Sequence, residues 1–446
     1  MPKSLKSTKQ ALIAAVEGGG TSFIVTIALV KPKSRTWNNL TIPHTRFEIL
    51  HQETIITTSP SDTLASTSHF FSKHRPENGY DALGICTFGP VGVNPNDDHR
   101  NDHDDDDVND DDDDGDETAG PSSSNTSTRN YGRILSGSPK KDWRNVDILS
   151  PILKACSSID GKHVPLYKVE TDVNAPAMAE YEYTRKILHK DISSLAYVTV
   201  GTGIGVGLVM NGRPVHGMMH PEGGHVPIVP IRMGTSTSAE ENDFAYSWGD
   251  NSPFKGRNTV EGTASSVALS ERMALLHRKD STNSTAEGDY QSREGLKDLG
   301  DDDPIWDHAA NALANLCVTL ALVTSVEKIV LGGGIMNREI LFDKIRNRTR
   351  ELLNGYLDLP QVTTDEGLKE YIGPSVWKEH GAGLVGALVL AQLALEENDN
   401  GMALENSSNK CSSASKCKVT SYPMSAVALY GGILALGVLI GSRHKK

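Results

Sequence analysis

The sequence predicts an α/β protein built of two similar halves, and three glycine-rich turns carry that prediction. The turns EGGGT (17–21), GTGIG (201–205) and GGG (332–334) each follow an apolar segment with the composition of a buried strand. Two of them lie inside strand–turn–strand patterns, over 11–30 and 193–215. Glycine turns present backbone N–H groups to phosphate, so their recurrence predicts two halves that clamp a polyphosphate.

The remaining elements fit the same class. Residues 80–93 predict a buried strand that ends in a glycine–proline turn, and 164–188 predict a strand, a short loop and a helix. Residues 327–353 predict strand, glycine turn and helix, and 381–395 predict a helix of small residues. Neither GxxxxGK[ST] nor a helix-opening GxGxxG occurs, which argues against a P-loop or a Rossmann dinucleotide site.

Net charge and cysteine content exclude some classes of function. The formal net charge of -13 argues against nucleic acid as a partner, because a phosphate backbone requires a basic surface. Much of that charge lies in an Asp-rich segment within 96–130, which predicts a disordered insertion in the first half. A second polar stretch, 278–303, predicts a surface loop. The five cysteines form no CxxC pair, which indicates free thiols in a reducing compartment.

The C-terminus differs from the rest of the chain. Residues 422–442 carry no charge and follow a polar segment, 396–421, that we interpret as a linker. A stretch of about 20 apolar residues matches the thickness of a bilayer core. The sequence therefore predicts a single membrane anchor with the catalytic part in the cytosol, and a buried core helix is the alternative.

Polar side chains beside glycines are the candidates for chemistry. Asp172 lies in a loop between a predicted strand and helix, where it would either deprotonate a hydroxyl or cap the helix. Glu222 and His225, in HPEGGHVPI (220–228), and Glu261 are natural partners for the hydroxyls of a sugar. A structural histidine is the alternative for His225.

An ordered set of motifs resembles one known family. The motifs are VEGGGTSF, GICTFGPVGVN, YGRILSGSPKKDW, ETDVNAPAMAE, YVTVGTGIGVG, HPEGGHVPI, VEGTAS, IVLGGGIM and YIGPSVWKEHGAGLVGALVLA. The chain resembles the ROK family of sugar kinases, and most closely its fructokinase branch, over 11–395. The resemblance implies a two-lobed actin-like ATPase (ribonuclease H-like) fold with an interlobe cleft. The N-terminal lobe would be 11–170 and the C-terminal lobe 171–380, with a closing helix over 381–395.

The resemblance also implies an activity. It points to ATP- and Mg²⁺-dependent phosphorylation of a hexose, giving fructose 6-phosphate in this branch, by a protein that forms homodimers. A glucose, mannose or N-acetylmannosamine kinase on the same fold is one alternative. A membrane-tethered sensor that binds sugar or nucleotide with weak catalysis is the other.

Individual roles follow from the motifs. Asp172 matches the general base, and Glu222, His225 and Glu261 match the sugar-binding set. Glu17 matches an acidic residue near the magnesium shell. The phosphate- and nucleotide-binding turns are matched by Gly18, Gly19, Gly20, Thr21, Thr199, Gly201, Thr202, Gly203, Gly332, Gly333 and Gly334.

One motif departs from the family pattern. Most relatives carry a CPxHGxC-like stretch that binds structural zinc together with the histidine of the GH pair. Here the stretch reads SPFKGRNTVEG (252–262), in which Ser252 and Lys255 replace a cysteine and a histidine. Asn258 or Thr259 replaces the last cysteine. Since these residues are poor zinc ligands, we predict that zinc is absent and that packing or a hydrogen bond holds the loop.

Overall fold

Two five-stranded mixed sheets form the frame of the protein. A computed structural model describes residues 10–31, 45–94, 130–229, 231, 258–280, 295–378 and 381–412. The strands of the first sheet are β1 (Ala11–Gly18), β2 (Ser22–Val30), β3 (Phe47–Ile56), β4 (Ala82–Thr87) and β5 (Leu166–Thr171). Those of the second are β6 (Ser194–Val200), β7 (Ile204–Met210), β8 (Arg213–Pro214), β9 (Ile329–Gly332) and β10 (Ile372–Pro374).

The two sheets have the same wiring. Their strand orders are β3–β2–β1–β4–β5 and β10–β9–β6–β7–β8. In each, the first strand pairs antiparallel with the second and the second antiparallel with the third. The first also pairs parallel with the fourth, and the fourth parallel with the fifth. The predicted α/β fold of two similar halves is confirmed.

Helices cover both sheets. They are α1 (Pro60–His74), α2 (Leu149–Cys156), α3 (Asn174–Lys186), α4 (Val260–Ala264), α5 (Ser266–Asp280), α6 (Gly295–Asp298), α7 (Ile305–Thr324), α8 (Ile340–Leu353), α9 (Pro360–Thr363), α10 (Asp365–Tyr371) and α11 (Ala382–Ser412). Their ends follow local chemistry. In α1, for example, the Ser59 side chain accepts a hydrogen bond from the Asp62 N–H and Pro60 occupies the first turn.

Three apolar clusters hold these layers together. One packs α1 and α2 on the outer face of the first sheet, and another packs α7 and α8 on the second sheet. The third lies between the sheets and joins β1 and β6 to α3 and α11. The approach of α11 to β4 is so close that a Cβ on Gly84 would collide with the carbonyl oxygen of Ala387, so that only glycine fits there.

The chain divides into two units, 1–396 and 397–446, and the second is described only for the last part of α11. This helix runs to Ser412, so the first part of the segment interpreted as a linker (396–421) is helical. Residues 402–405 (MALE) are good helix formers and no proline interrupts the segment, which permits the helix to continue. The polar stretch 278–303, predicted to be a surface loop, is helical in two described parts, where α5 extends to Asp280 and where α6 covers Gly295–Asp298. The acidic insertion lies outside the described residues.

The prediction of a membrane-anchored protein is contradicted. Within the described ranges, no helix is long and apolar enough to cross a membrane. The longest, α11, loses its apolar character at Glu396 and Glu397, where charged side chains begin. The segment 422–442, on which the prediction depended, lies outside the described residues.

Candidate functional site

The ends of three parallel strands bring the first glycine turn and Asp172 to the same edge of the first sheet. Gly18 at the end of β1 is paired with Thr87 at the end of β4, and Thr87 with Thr171 at the end of β5. The Phe88 N–H donates to the Gly18 carbonyl at 2.9 Å. The Asp172 N–H donates to the Thr87 carbonyl at 2.8 Å. Because the strands are parallel, their following loops converge, as ligand-binding loops do in α/β sheets.

Asp172 does not cap the helix that follows it. The N-cap residue of α3 is Val173, and no side chain makes a cap hydrogen bond there. The Asn174 N–H instead donates to the Thr171 hydroxyl at 3.0 Å. The capping alternative for Asp172 is therefore wrong, and its carboxylate is left for another task.

The carboxyl group of Asp172 is also electrostatically unusual. Burial, followed by the nearby carboxylates of Glu17 and Glu222, raises its pKa to about 7. Desolvation and like charges both disfavour the ionised form. A carboxyl group with a pKa near neutrality is suited to take up a proton at physiological pH.

Asp172 lines a cavity of about 560 Å³, here called the cleft cavity, together with the predicted sugar-binding residues. Its polar lining comes from Thr171, Asp172, Thr202, His220, Glu222, His225, Glu261 and Ser265. The structure thus brings together the four predicted residues: Asp172 from the loop after β5, Glu222 and His225 from the loop after β8, and Glu261 from α4. No lysine or arginine is among the described residues that line it.

His225 lies between two carboxylates in this cavity. Its Nε2 is 3.9 Å from Glu222 Oε2, and its Nδ1 is 4.0 Å from Glu261 Oε1. Both separations exceed a hydrogen bond. Burial lowers the pKa of His225, and the Glu261 carboxylate opposes that shift. Burial raises the pKa of Glu222, as does Glu261. A neutral imidazole and two carboxylates offer the donors and acceptors that a polyhydroxylated ligand needs.

Hydrogen bonds hold Glu261 in place. The Thr259 hydroxyl accepts from the Gly262 N–H at 3.0 Å and so caps α4, the helix that carries Glu261. The Val260 N–H donates to the Val226 carbonyl at 3.1 Å, next to His225. Glu261 Oε2 in turn accepts the Ile204 N–H at 2.9 Å, which ties the carboxylate to the second glycine turn.

Most of the residues on which the zinc prediction depends lie outside the described part of the chain. Ser252 and Lys255 belong to them, whereas Thr259 is described as the cap of α4. Among the residues that are described, no group of three or more His, Cys, Asp or Glu could hold a metal ion. The absence of zinc therefore stays a prediction.

A second cavity, of about 840 Å³ and here called the α8 cavity, adjoins the first. Gly201, Gly334 and Arg338 line it, and Thr202 lines both cavities. The Arg338 guanidinium stacks 4.3 Å from the centre of the Trp306 ring and also pairs with Asp301. This cation–π stacking gives the α8 cavity a flat side that is lined by the guanidinium group. The second glycine turn is therefore the partition between two ligand-sized spaces.

Glu17 lies beneath the N-terminus of α11. It accepts a hydrogen bond from the Leu384 N–H, and burial raises its pKa. Its Oε2 is buried and has no hydrogen-bond partner among the described residues. A buried carboxylate oxygen without a partner fits a divalent cation. Magnesium in particular binds through one or two carboxylates and otherwise through water and phosphate, so it needs no cluster of protein ligands.

Several predicted residues line neither cavity. These residues are Glu17, Gly18, Gly19, Gly20, Thr21, Thr199, Gly332 and Gly333. Gly333 has φ +90°, and a Cβ on it would collide with the Val200 carbonyl, so this turn requires glycine.

Sequence reasoning missed His220. Its side chain is buried in the wall of the cleft cavity, and neither ring nitrogen has a hydrogen-bond partner among the described residues. Nδ1 is 3.5 Å from Glu222 Oε1, and burial lowers the pKa of the ring. Two unsatisfied nitrogens on a buried ring are costly unless a ligand pairs with them. Its position two residues before Glu222 was the available signal.

Comparison with known proteins places the chain in a family. A model of the ROK family matches residues 35–394. The chain belongs to the ROK family. It is 28% identical to a fructokinase of Streptococcus mutans over 381 residues, which cover 85% of this chain and 97% of that protein. It is 26% identical to an N-acetylmannosamine kinase of Vibrio vulnificus over 190 residues, covering 42% of this chain and 54% of that protein.

A solved ROK structure shares the fold. The ROK hexokinase of Thermus thermophilus superposes with a TM-score of 0.52 at 18% identity, covering 86% of this chain and 99% of that one. At this identity the likeness concerns the fold alone. The fold of two sheets described above is thus that of a ROK protein.

Proposed function

We propose that this ROK protein is an ATP-dependent hexose kinase whose substrate is fructose and whose product is fructose 6-phosphate. The observation that carries the kinase proposal is Asp172, a carboxyl group with a pKa near 7 that faces the same cavity as Glu222, His225 and Glu261. The preference for fructose is supported by the likeness to the fructokinase of Streptococcus mutans.

The two cavities suit the two substrates. The sugar would occupy the cleft cavity, where carboxylates and imidazoles meet its hydroxyls. The adenosine would occupy the α8 cavity, beside Gly334 and Arg338. Thr202 lies in the wall of both, so a triphosphate that passes the second glycine turn would connect them.

The chemistry is a phosphoryl transfer to a hydroxyl group. Asp172 accepts the proton of the attacking sugar hydroxyl. The oxygen of that hydroxyl bonds to the γ-phosphorus while the bond between the γ-phosphorus and the ADP oxygen breaks. Glu222, His225 and Glu261 orient the sugar, and backbone N–H groups of the glycine turns face the phosphates. Glu17 would hold Mg²⁺, which when bound neutralises charge on the phosphate oxygens.

A turnover assay tests the proposal. The full chain is incubated with ATP and Mg²⁺, and ADP release is followed with fructose, glucose, mannose and N-acetylmannosamine in turn. Fructose should give the highest kcat/KM. Asp172→Asn should lower kcat by about 10²–10⁴-fold, the usual contribution of a general base. Asp142→Asn, a change of the same kind at an exposed position, is the matched control.

Three results would change the proposal. A higher kcat/KM for another sugar would keep the kinase and replace the substrate. Near-normal turnover of Asp172→Asn would remove Asp172 from the role of base. No turnover with any sugar, from folded protein that still binds ATP, would favour a binding protein.

A further inference from the structure

A lysine from a distant loop reaches the first glycine turn. Lys140 Nζ donates to the carbonyl of Gly20 at 2.5 Å and lies 5.4 Å from the centre of the Phe88 ring. A Cβ placed on Gly20 would lie 3.1 Å from Lys140 Cε, so the side chain runs directly over the turn. The two residues are 120 positions apart in the sequence, and only the fold brings them together.

The loop that carries Lys140 is firmly anchored. Trp143 is buried against Phe23 and Phe88, with ring centroids 5.5 and 5.4 Å apart. The buried Ser138 donates to the Gly89 carbonyl at 3.3 Å, and its own carbonyl accepts from Arg144 Nε at 2.8 Å. These contacts fix the backbone on both sides of Lys140. Its ammonium group is thereby held beside the turn by the fold itself, a form of preorganisation.

Acidic side chains near the first glycine turn give the position of Lys140 its significance. Glu17, Asp172 and Glu222 are close enough that the first and third raise the pKa of the second. The described lining of the cleft cavity contains no lysine or arginine, although it includes Pro139, the residue before Lys140. A polyphosphate placed at this edge would add further negative charge. A protein cation at this edge would offset part of that charge in addition to Mg²⁺, and Lys140 contacts the turn.

We propose that Lys140 is a phosphate-binding residue of the kinase reaction. When ATP binds, its ammonium group exchanges the neutral Gly20 carbonyl for an anionic oxygen of the γ-phosphoryl group. This bond is stronger because both partners are charged, and it strengthens further as charge shifts during transfer. The inference rests on the proposed function, and it names a residue for the phosphoryl end of the site.

Two variants and a matched control test the proposal in the full chain. Lys140→Met keeps the length of the side chain and removes the charge, whereas Lys140→Arg keeps the charge. Lys141→Met makes the same change at the adjacent exposed position. Removal of one such electrostatic donor costs about 10²–10³-fold in kcat, so we expect a loss of this size for Lys140→Met. Lys140→Arg should recover part of it, and Lys141→Met should behave as wild type.

Binding measurements separate this role from a structural clamp on the turn. The Kd values of a non-hydrolysable ATP analogue and of adenosine are measured by calorimetry for each variant. Lys140→Met should weaken binding of the analogue about tenfold or more and leave adenosine unchanged, because only the analogue carries the phosphates. Equal losses for both ligands, or wild-type turnover of Lys140→Met, would overturn the proposal. If the wild type turned over no sugar, the proposed function would fail, while the binding comparison would still decide the role of Lys140.

Discussion

The first glycine turn (17–21) and the second (201–205) follow equivalent strands, β1 and β6, in two sheets of the same connectivity, yet the side chains that reach them from distant segments, Lys140 and Glu261, carry opposite charge. At the first turn, the Gly20 carbonyl accepts from the Lys140 ammonium group at 2.5 Å, and the Gly19 carbonyl accepts from the Thr57 hydroxyl at 2.9 Å. At the second turn, the Glu261 carboxylate accepts the Ile204 N–H at 2.9 Å. Topology fixes where a turn lies, and side chains from remote segments decide what it binds.

The two turns also differ in the space around them. A Cβ on Gly18 would lie 2.8 Å from the Thr87 hydroxyl oxygen and 3.1 Å from Phe23 Cζ. A Cβ on Gly201 would meet nothing within 4 Å. The first turn is therefore closed by packing at Gly18, whereas the second is open at Gly201, which lines the α8 cavity.

The largest expected effect is on the pH dependence of kcat/KM. It tests whether the group that titrates is Asp172, which follows β5 of the first sheet. The pKa of Asp172 is about 7, and the base must be ionised to act. We therefore expect kcat/KM for the sugar to rise about tenfold per pH unit below pH 7, and to level above it. The pH profile should keep its shape in Glu261→Gln. A pH profile that flattens in Glu261→Gln would mean that Glu261, at the second glycine turn, is the group that titrates. The contrast drawn between the two turns would then be wrong.

The next effect is on stability and follows from the same raised pKa. The pKa of Asp172 in the folded protein, about 7, exceeds its ordinary value of 3.8. Its contribution to stability is thus present below pH 3.8 and is lost as pH rises through 7. Asp172→Asn, which never ionises, should unfold with a free energy about 1–3 kcal/mol higher than wild type at pH 8. Urea titrations at pH 8 and pH 4 measure this, and a difference that persists unchanged at pH 4 would contradict it.

The third prediction compares the crowding of the turns. Gly18→Ala should lower the free energy of unfolding by about 1–3 kcal/mol, because the new methyl group displaces Thr87 or Phe23. Gly201→Ala, the matched change at the open turn, should stay within about 0.5 kcal/mol of wild type. Urea denaturation of both variants at one pH provides the measurement. Similar losses at the two positions would show that the turns are equally constrained.

The smallest effect separates the two tasks of Glu261. Glu261→Gln keeps an acceptor for the Ile204 N–H but loses the charge, so the KM for the sugar should rise only about tenfold. Glu261→Ala also leaves that N–H without its acceptor and should lower the free energy of unfolding by a further 1–3 kcal/mol or so. Steady-state kinetics of the two variants measures the effect on sugar binding, and urea denaturation measures the effect on stability. Equal stability of the two variants would mean that the bond to Ile204 contributes nothing.

Local patterns in the sequence determined much of the fold. The hairpin over 11–30, the strand and helix of 164–188 and the glycine turn of 327–353 all appear where periodicity and turn residues predicted them. These signals are local, because alternation of apolar residues and the φ freedom of glycine act within a few residues. Where local signals were ambiguous the predictions failed. The polar segment after residue 396 is helical as far as Ser412, and the membrane anchor is contradicted.

The motifs likewise identified most of the residues that meet in the cleft cavity, but not how they are used. The sequence left open whether Asp172 caps α3, and only the bond from Asn174 to Thr171 excluded that role. It contained no sign that Lys140 crosses to the first turn or that Glu261 supports the second. Charge and hydrogen bonding between segments far apart in sequence depend on the distance between them in space. Spacing along the chain determined which residues are present, and tertiary packing decided which of them became partners.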